Sequence, residues 1–355
     1  MEQTPSNTRL NYLKELDGLR CIAVSAVMIG HWTYKYSFHR YTLGLGIHGV
    51  NLFFVLSGFL ISRILIATKE LNQKPSFTLK QFYIRRALRI FPIYYLVLLI
   101  AFILNIPNCR PAIGWLLTYT SNIRSFFSGF DFQYMIHFWS LSVEEQFYIF
   151  FPLLVLITPK KHLLKLFSGL TIMAILSRII AFHFIHNKEG AEWVSFAFTP
   201  CCFDCFSIGA ILAYLFIYKP DLLKRILKYR IFYWICFLVA FITYLIYSEK
   251  VPSMFDVIAV RFLYSVFCFW LIGKASLGEF KSGFGAFLNH PAIIYLGRIS
   301  YGIYIFHNFM SYIYGDLFFP GIDFLYLITT VALASLSWKY FEKPINDLKR
   351  KFSYA

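Results

Sequence analysis

The sequence contains few charged residues. Asp, Glu, Lys and Arg make up 15% of its 355 residues, against about 25% in an average soluble protein. Acidic residues are the scarcer group, with 18 Asp and Glu against 34 Lys and Arg, while 58% of the chain is apolar. This composition excludes an ordinary soluble globular domain.

Several catalytic motifs are also absent. The chain has no Walker loop, no G-x-G-x-x-G after a strand, no H-E-x-x-H and no G-x-S-x-G, so nucleotide hydrolysis, zinc proteolysis and serine-esterase chemistry have no motif support. The cluster Cys201, Cys202 and Cys205 lacks a second ligand pair at a suitable spacing, which favours packing over metal binding, and we predict no metal site.

What the sequence does contain is repeated apolar stretches of about 18 to 24 residues, each long enough to cross a bilayer. We predict an all-α, polytopic transmembrane helical bundle forming a single membrane domain, residues 10–350. The predicted spans, ten in number, are 16–33, 46–67, 88–105, 142–158, 163–186, 194–217, 231–248, 255–273, 291–314 and 322–340.

The positive charges indicate the topology. Of the 34 Lys and Arg residues, 24 lie in the segments on the side of the termini or in the span ends that adjoin them, six in the other loops and four deeper inside predicted spans. Both termini are therefore expected to be cytoplasmic. Residues 1–15 are polar and no cleavage site follows the first apolar stretch, so we expect that span to stay in the membrane. The net charge of +16 is then mostly a topology signal, and we expect a lipid bilayer rather than nucleic acid as partner.

The first span, in "LDGLRCIAVSAVMIGHW", carries Asp17, Arg20 and His31 on one helix face. Eleven residues from Arg20 to His31 rise about 16 Å, which places the imidazole near or just beyond the midplane. Ionisable residues at that depth are functional candidates, and a desolvated neutral imidazole suits a general base. The alternative is a histidine that contacts a neighbouring helix. Asp17 is too far from His31 to orient it and is expected to pair with Arg20 or to cap the helix.

Three arginines, Arg85, Arg86 and Arg89, lie within an arc of about 100° around the start of the third predicted span. Arginine forks bind phosphate oxygens in pairs, so this cationic face at the cytoplasmic mouth suits a phosphorylated ligand. The alternative is anchoring by the positive-inside rule together with anionic headgroups. The residues alone leave both interpretations open.

The fourth and ninth predicted spans carry further polar groups. Ser142 and Glu145 fit a capping box, while Glu144 is free to pair with an arginine or to accept hydrogen bonds from a hydroxylated acceptor. In the ninth span Ser300, Tyr304 and His307 follow one face, either as interhelical hydrogen bonds or as part of a site.

Two other regions carry expectations. The buried charges Arg178 and Asp204 need partners, either each other or Arg261. The aromatic-rich segment 106–141 is expected to form a partly re-entrant lid near the outer surface.

In order along the chain, six blocks resemble the signature of the membrane acyltransferase-3 family, which includes bacterial O-acetyltransferases of surface polysaccharides. The blocks are "LDGLRCIAVSAVMIGHW", "GVNLFFVLSGFLIS", "FYIRRALRIFPIYYL", "FWSLSVEEQFYIFFPL", "LGRISYGIYIFH" and "KYFEKPI". Six ordered blocks over nearly the whole chain are a specific match. The resemblance implies transfer of an acyl group, usually acetyl from acetyl-CoA, to a hydroxyl of a glycan at or beyond the outer face.

Position by position, the resemblance implies roles for named residues. His31 matches the essential histidine, Arg86 and Arg89 the R-x-x-R pair associated with the acyl donor, and Glu144 the glutamate of the W-S-L-x-x-E block. The other matches are Asp17 and Arg20 in the first helix, Ser300, Tyr301, Tyr304 and His307 in the ninth span, and Glu342 in the closing E-x-P.

The resulting hypothesis is an integral O-acyltransferase of the bacterial inner membrane. His31, Asp17, Arg20 and Glu144 form the catalytic set, while Arg85, Arg86 and Arg89 bind acyl-CoA, a co-substrate rather than a tightly bound cofactor. The expected acceptor-binding residues are Trp139, Ser300, Tyr304 and His307. The pantetheine arm is expected to follow the Val24 and Val27 face of the first helix. The alternative is a transporter or flippase for a glycan or small polar molecule.

The resemblance also bears on partners. Many relatives carry an extracytoplasmic SGNH-type hydrolase domain, and we expect none here, so a second transfer step would need a separate protein. Self-association into a homo-oligomer stays open.

Overall fold

The computed structural model describes residues 11–33, 36, 39–128, 132–185, 197–247, 254–281, 283–315 and 321–354. Within these ranges the regular structure is entirely helical, without a strand. Residues 186, 194–196 and 248 of the predicted spans lie outside the described residues, as do residues 10, 34, 35, 37, 38, 129–131, 187–193, 249–253, 282 and 316–320 of the predicted domain. The prediction of an all-α chain is confirmed for the described part.

The helices, numbered in chain order, are α1 Lys14–Trp32, α2 His39–Glu70, α3 Pro75–Ile103, α4 Cys109–Leu117, α5 Ser121–Ser128, α6 Phe138–Ile157, α7 Leu163–Ile185, α8 Phe203–Tyr218, α9 Pro220–Ile226, α10 Arg230–Tyr247, α11 Met254–Ser276, α12 Gly283–Leu288, α13 Pro291–Arg298, α14 Ser300–Phe306, α15 Met310–Ile313, α16 Ile322–Ser337 and α17 Lys343–Asp347. Short 3-10 turns extend or join several of them, and a π-helical turn, Trp338–Glu342, follows α16.

Seven helices of the described residues are long and apolar enough to cross a membrane. An eighth is obtained if α9 and residues 230–245 of α10, which meet at 62°, count as one bent span. Each of the ten predicted segments overlaps a helix, but the count of ten is not confirmed. Four charged residues near its start reduce the hydropathy of α1, and the ninth segment is broken after Arg298 and again after Phe306.

Helix α2 lies at the centre of the bundle and packs against both α1 and α8. Its contact with α8 is made by glycines: a Cβ added at Gly58 would lie 2.0 Å from the Phe206 carbonyl oxygen, and one added at Gly209 would lie 2.1 Å from that of Val55. Small residues of this kind let helix backbones approach closely in membranes. The close α2–α8 contact therefore holds in place the residues of α2 that face α3 and α6.

Two sequence expectations about local structure can be checked directly. The capping box at Ser142 and Glu145 is wrong, because α6 begins at Phe138 and Ser142 is already inside the helix, with Oγ donating to the Phe138 carbonyl at 3.2 Å. The pairing of Arg178 with Asp204 is confirmed, since Arg178 Nη2 donates to Asp204 Oδ2 in the core. The segment 106–141, treated as a long loop, contains α4, α5 and a 3-10 turn in its described part.

Candidate active site

Asp17 is the centre of a polar cluster at the start of α1. Its Oδ1 accepts from Arg20 Nη1 at 2.6 Å, its Oδ2 accepts from the Tyr12 hydroxyl, and Arg298 Nε lies 3.8 Å from Oδ2. The predicted Asp17–Arg20 pair is confirmed, and the capping alternative is wrong, because α1 begins at Lys14. Burial and the bond to Asp17 raise the pKa of the Tyr12 hydroxyl, so it keeps the proton that it donates.

The arginines of α3 are placed differently from the prediction. Helix α3 begins at Pro75 rather than at residue 88, so Arg86 and Arg89 lie near the middle of a 29-residue helix and not at its mouth. Arg85 turns away from them: its Nη1 donates to the Lys349 and Phe352 carbonyls at 2.9 and 3.0 Å. Arg86 and Arg89 therefore point into the bundle, whereas Arg85 joins α3 to Lys349 and Phe352.

A cavity of about 80 Å³ opens between α1, α2, α3, α6 and α14. Its polar lining residues are Arg20, Arg86, Arg89, Ser57, Ser140, Glu144, Glu145, Tyr148, Ser300, Tyr301 and Tyr304. Six of the predicted site residues are thus brought together, namely Arg20, Arg86, Arg89, Glu144, Ser300 and Tyr304. Of the others, His31, Asp17, Arg85, Trp139 and His307 do not line it.

Glu144 is held on the cavity wall by two hydroxyls. Ser57 Oγ of α2 and the Tyr148 hydroxyl, one turn further along α6, both donate to Glu144 Oε1. The guanidinium carbon of Arg86 lies 4.9 Å from the ring centre of Tyr148. The sequence interpretation missed Ser57 and Tyr148; the available signal was that Tyr148 stands four residues after Glu144 and Ser57 falls inside one of the matched blocks.

A groove of about 310 Å³ adjoins the cavity and shares Arg20 and Leu60 with it. Its other basic lining residues are Arg63 and Arg85, and the Tyr354 ring beside them has its centre 5.0 Å from the guanidinium carbon of Arg85. Burial raises the pKa of the Tyr354 hydroxyl, although Arg86 and Arg85 oppose the shift. Arg63 was missed as a site residue; its position as a charge inside a predicted span was the signal.

His31, at the end of α1, contacts His307. Their Nδ1 and Nε2 atoms are 2.7 Å apart, and the ring centres are 5.0 Å apart with planes 13° from parallel, so the rings meet edge to edge. The neighbouring Trp32 donates from Nε1 to the His307 carbonyl at 3.0 Å. His307 begins a 3-10 turn directly after α14, so the break in the ninth segment is what turns its imidazole towards α1.

Tyr304 stands between the cavity and this histidine pair. It lines the cavity, its ring centre lies 5.4 Å from that of His307, and its hydroxyl oxygen is 2.5 Å from Ser140 Oγ and 3.0 Å from the His137 carbonyl. The predicted polar face of Ser300, Tyr304 and His307 therefore runs from the cavity to His31. It connects the residues that line the cavity to the pair formed by His31 and His307.

The predicted route along Val24 and Val27 is closed in the structure. These side chains are 1% and 0% exposed and line neither the cavity nor the groove. A Cβ added at Gly49 would lie 2.9 Å from Val27 Cγ2, so this face of α1 packs directly against α2. Trp139 likewise packs on Phe54, edge to face at 6.3 Å, outside the cavity lining.

Two further residues of the matched blocks, Tyr301 and Glu342, make hydrogen bonds in the structure. The Tyr301 hydroxyl donates to the Ile90 carbonyl at 3.0 Å and so joins α14 to α3. Glu342 is buried and accepts from Ser337 Oγ at 2.7 Å. Tyr301 therefore joins two helices of the cavity wall, whereas the bond of Glu342 lies within its own segment.

The arrangement combines two chemical capabilities. Three guanidinium groups, Arg20, Arg86 and Arg89, share a cavity with the carboxyl groups of Glu144 and Glu145, and guanidinium clusters of this kind suit phosphate oxygens. Beyond Tyr304, a pair of contacting imidazoles suits proton transfer at a hydroxyl. An anion-binding end and a proton-transfer end therefore lie along one line through the bundle.

Comparisons with known proteins agree with this chemistry. The sequence profile of a family described as an acyltransferase domain matches residues 13–339. A protein of Staphylococcus aureus strain COL, provisionally named an O-acetyltransferase, is 29% identical over 365 residues, covering 95% of this chain and 58% of the relative. The O-acetyltransferase OatA of S. aureus strain NCTC 8325 / PS 47 is 26% identical over 379 residues, covering 94% and 57%.

No solved structure gives a significant match. The chain spans a little under three fifths of the length of these curated relatives. The family profile nevertheless covers most of the chain, including both groups of site residues. With several apolar helices able to cross a bilayer, the chain is a multi-pass membrane protein and belongs to the acyltransferase-3 family.

Proposed function

We propose that the chain is a membrane O-acetyltransferase that moves an acetyl group from acetyl-CoA, bound from the cytoplasm, to a hydroxyl of a glycan or other sugar-bearing acceptor at the outer face. The observation that carries the proposal is the line from three cavity arginines through Tyr304 to the contacting imidazoles of His31 and His307. The names of the relatives support the acetyl group as the one transferred.

The donor would occupy both the cavity and the adjoining groove. Coenzyme A is polyanionic and its phosphates cannot enter the hydrocarbon unpaired, so Arg20, Arg86 and Arg89 would bind them. The nucleotide end would occupy the adjoining groove, where Arg63 and Arg85 supply further positive charge and Tyr354 an aromatic face. The pantetheine arm would then extend past Glu144 and Ser140 rather than along α1.

His31 would act at the far end of that arm. Its imidazole accepts the proton of the acceptor hydroxyl, the oxygen attacks the thioester carbonyl, the carbon–sulfur bond breaks, and the departing thiolate takes the proton back. The rise from Arg20 to His31 is about 16 Å, so donor anchoring and chemistry are separated by half a membrane. Because Tyr304 stands between them, the thioester reaches His31 only when the Tyr304 hydroxyl leaves Ser140.

The proposal includes a topology. Ten crossings with both termini in the cytoplasm, in a bacterial inner membrane, place the groove on the cytoplasmic side and His31 in the outer half of the bilayer. An acceptor hydroxyl then enters from outside and acetyl-CoA from inside. A separate extracytoplasmic transferase or a second copy of the chain remains compatible with this arrangement, whereas nucleic acid has no role in it.

The experiment uses membranes containing the full chain, radiolabelled acetyl-CoA and the lipid-linked and surface glycans of the host. We expect label in a glycan with the wild type and none with His31→Ala. His162→Ala is the matched control, because His162 is an exposed histidine of a 3-10 turn and does not line the cavity, and it should label normally.

Two outcomes would overturn the proposal. Equal labelling with His31→Ala would remove His31 from the mechanism. Movement of unlabelled glycan across sealed vesicles without acetyl-CoA, and without any acetylation, would favour a transporter instead. The broken helix formed by α13 and α14 is the feature that such a transporter would use.

A further inference from the structure

We infer that His307 is the positioning residue of the reaction: it holds His31 as the tautomer protonated on Nδ1 and leaves Nε2 as the basic nitrogen. The inference rests on the proposed function, because it concerns the histidine that we propose as the base. It moves His307 from the acceptor-binding set, where the sequence placed it, to a partner of His31.

The hydrogen-bond chain determines the position of each proton. His307 Nδ1 lies 2.7 Å from the Tyr304 carbonyl oxygen, which can only accept, so Nδ1 carries the hydrogen. A neutral imidazole has one N–H, and its other nitrogen is an acceptor. His307 Nε2 therefore accepts from His31 Nδ1, 2.7 Å away, and the lone pair of His31 is on Nε2.

The opposite assignment would require a cationic His307 that donates from both nitrogens. Among the residues that the structure describes, no carboxylate lies within 4.0 Å of a nitrogen of either ring. An imidazolium inside a membrane without a counter-ion is strongly unfavourable. The resting pair is therefore neutral, with one N–H on each ring.

His307 is fixed on several sides, as a positioning residue must be. Its backbone carbonyl accepts from Trp32 Nε1, and its ring meets that of His31 edge to edge, with planes 13° from parallel. The buried ring of His137 stands against it at 4.8 Å between centres and is itself tied to the Ile305 carbonyl at 3.3 Å. A ring flip of His307 would break its bond to the Tyr304 carbonyl, so the acceptor presented to His31 is constant.

This arrangement has a consequence for the proton transfer. When His31 Nε2 takes the proton of the acceptor hydroxyl, the ring becomes an imidazolium whose Nδ1–H still points at the lone pair of His307. The charged form is stabilised by an acceptor that is already in place, and the ring does not need to turn before Nε2 returns the proton to the thiolate. A carboxylate does this for histidine in serine proteases; here a second imidazole does so without adding a buried charge.

Two substitutions separate positioning from simple packing. His307→Gln keeps an acceptor for His31 Nδ1 and a donor for the Tyr304 carbonyl, whereas His307→Phe keeps a ring of similar size without either group. We expect kcat to fall by about 10- to 100-fold in His307→Phe and by clearly less in His307→Gln, with KM for acetyl-CoA unchanged in both. Equal kcat values for wild type and His307→Phe would overturn the inference.

A second measurement does not depend on activity. Solid-state ¹⁵N NMR of the full chain in lipid vesicles, with ¹⁵N-labelled imidazoles, distinguishes Nδ1–H from Nε2–H rings, and the signal lost in His31→Ala identifies His31. We expect Nδ1–H in the wild type and in His307→Gln, and a shift towards Nε2–H in His307→Phe. An Nε2–H wild-type ring would reject the inference even if the membranes acetylate glycan; an Nδ1–H ring in a protein that never uses acetyl-CoA would reject only the proposed function.

Discussion

The guanidinium carbon of Arg86 lies 4.9 Å from the ring centre of Tyr148, whose hydroxyl donates to the carboxylate of Glu144. The cation belongs to α3 and the acid to α6, so the two motifs that carry them meet in one cavity. A ligand bound to the arginines is therefore also within reach of the polar groups around Glu144. Substitutions of Arg86 and of Glu144 therefore probe the same cavity.

The first prediction concerns Arg86. Replacing it with alanine removes a guanidinium that can make charge-assisted hydrogen bonds to phosphate, each of which contributes about 1.5 to 3 kcal/mol. We expect KM for acetyl-CoA to rise by about 10- to 100-fold with little change in kcat. The KM of Arg86→Lys should lie between those of the wild type and Arg86→Ala. Initial rates against acetyl-CoA concentration measure this.

The control is Arg110→Ala, which removes an exposed arginine that donates to the Phe102 carbonyl at 3.2 Å, outside the cavity. It should leave KM unchanged. A correctly inserted Arg86→Ala protein with wild-type donor kinetics would reduce this arginine to a structural residue.

The second prediction concerns Glu144 and the stability of the cavity wall. Glu144→Ala leaves the Ser57 and Tyr148 hydroxyls without their common acceptor, which should lower the free energy of unfolding by about 1 to 3 kcal/mol. Glu144→Gln keeps an amide oxygen in the same place and should stay close to the wild type. Thermal unfolding of the detergent-purified variants measures the difference, and an alanine variant as stable as the wild type would contradict the assigned hydrogen bonds.

The contacts that the sequence predicted correctly are short-range ones or pairs of scarce charges. Asp17 and Arg20 stand three residues apart on one helix, so helix geometry alone predicts their pairing. Arg178 and Asp204 were identified because a buried charge needs a partner and few opposite charges are available. The Ser300, Tyr304 and His307 face follows from the same helical spacing, even though the helix ends before His307.

The remaining site geometry depends on helix ends and rotations that hydropathy does not encode. Residues 75–87 are too polar to be identified as part of a span, so the true start of α3 at Pro75 was missed and Arg86 was placed at the membrane edge. The partners Ser57 and Glu144 are 87 residues apart, and His31 and His307 are 276 apart. Such pairs are set by how separate helices pack.

The third prediction concerns the contact between α2 and α8. A methyl group at Gly58 would lie 2.0 Å from the Phe206 carbonyl oxygen, a backbone atom that cannot move without separating the helices. We expect Gly58→Ala to lower the free energy of unfolding by about 1 to 3 kcal/mol or more. Gly169→Ala is the matched control, because a Cβ there meets nothing within 4 Å, and it should be neutral or stabilising by up to about 1 kcal/mol. Equal melting temperatures for the two variants would contradict this packing.

The fourth prediction concerns the buried charges beside α8. Asp204 pairs with Arg178 and also interacts electrostatically with Arg261, so two cations share one acid. Removing the acid takes away the carboxylate that pairs with the buried guanidinium of Arg178, whereas Arg178→Met leaves Asp204 beside Arg261. We therefore expect Asp204→Leu to lower the free energy of unfolding by about 3 to 5 kcal/mol and Arg178→Met to lower it by less.

The double variant Arg178→Met, Asp204→Leu completes a double-mutant cycle with the two single variants. It removes Arg178 and the acid together and keeps Arg261, which donates to Asn51 Oδ1 and to the Cys201 carbonyl at 3.2 Å each. We expect it to be more stable than Asp204→Leu, because the desolvated Arg178 is gone. Thermal unfolding measures the cycle, and donor KM should be unchanged, because neither residue lines the cavity. A double variant whose loss equals the sum of the two single losses would show that these charges are energetically independent in the bundle.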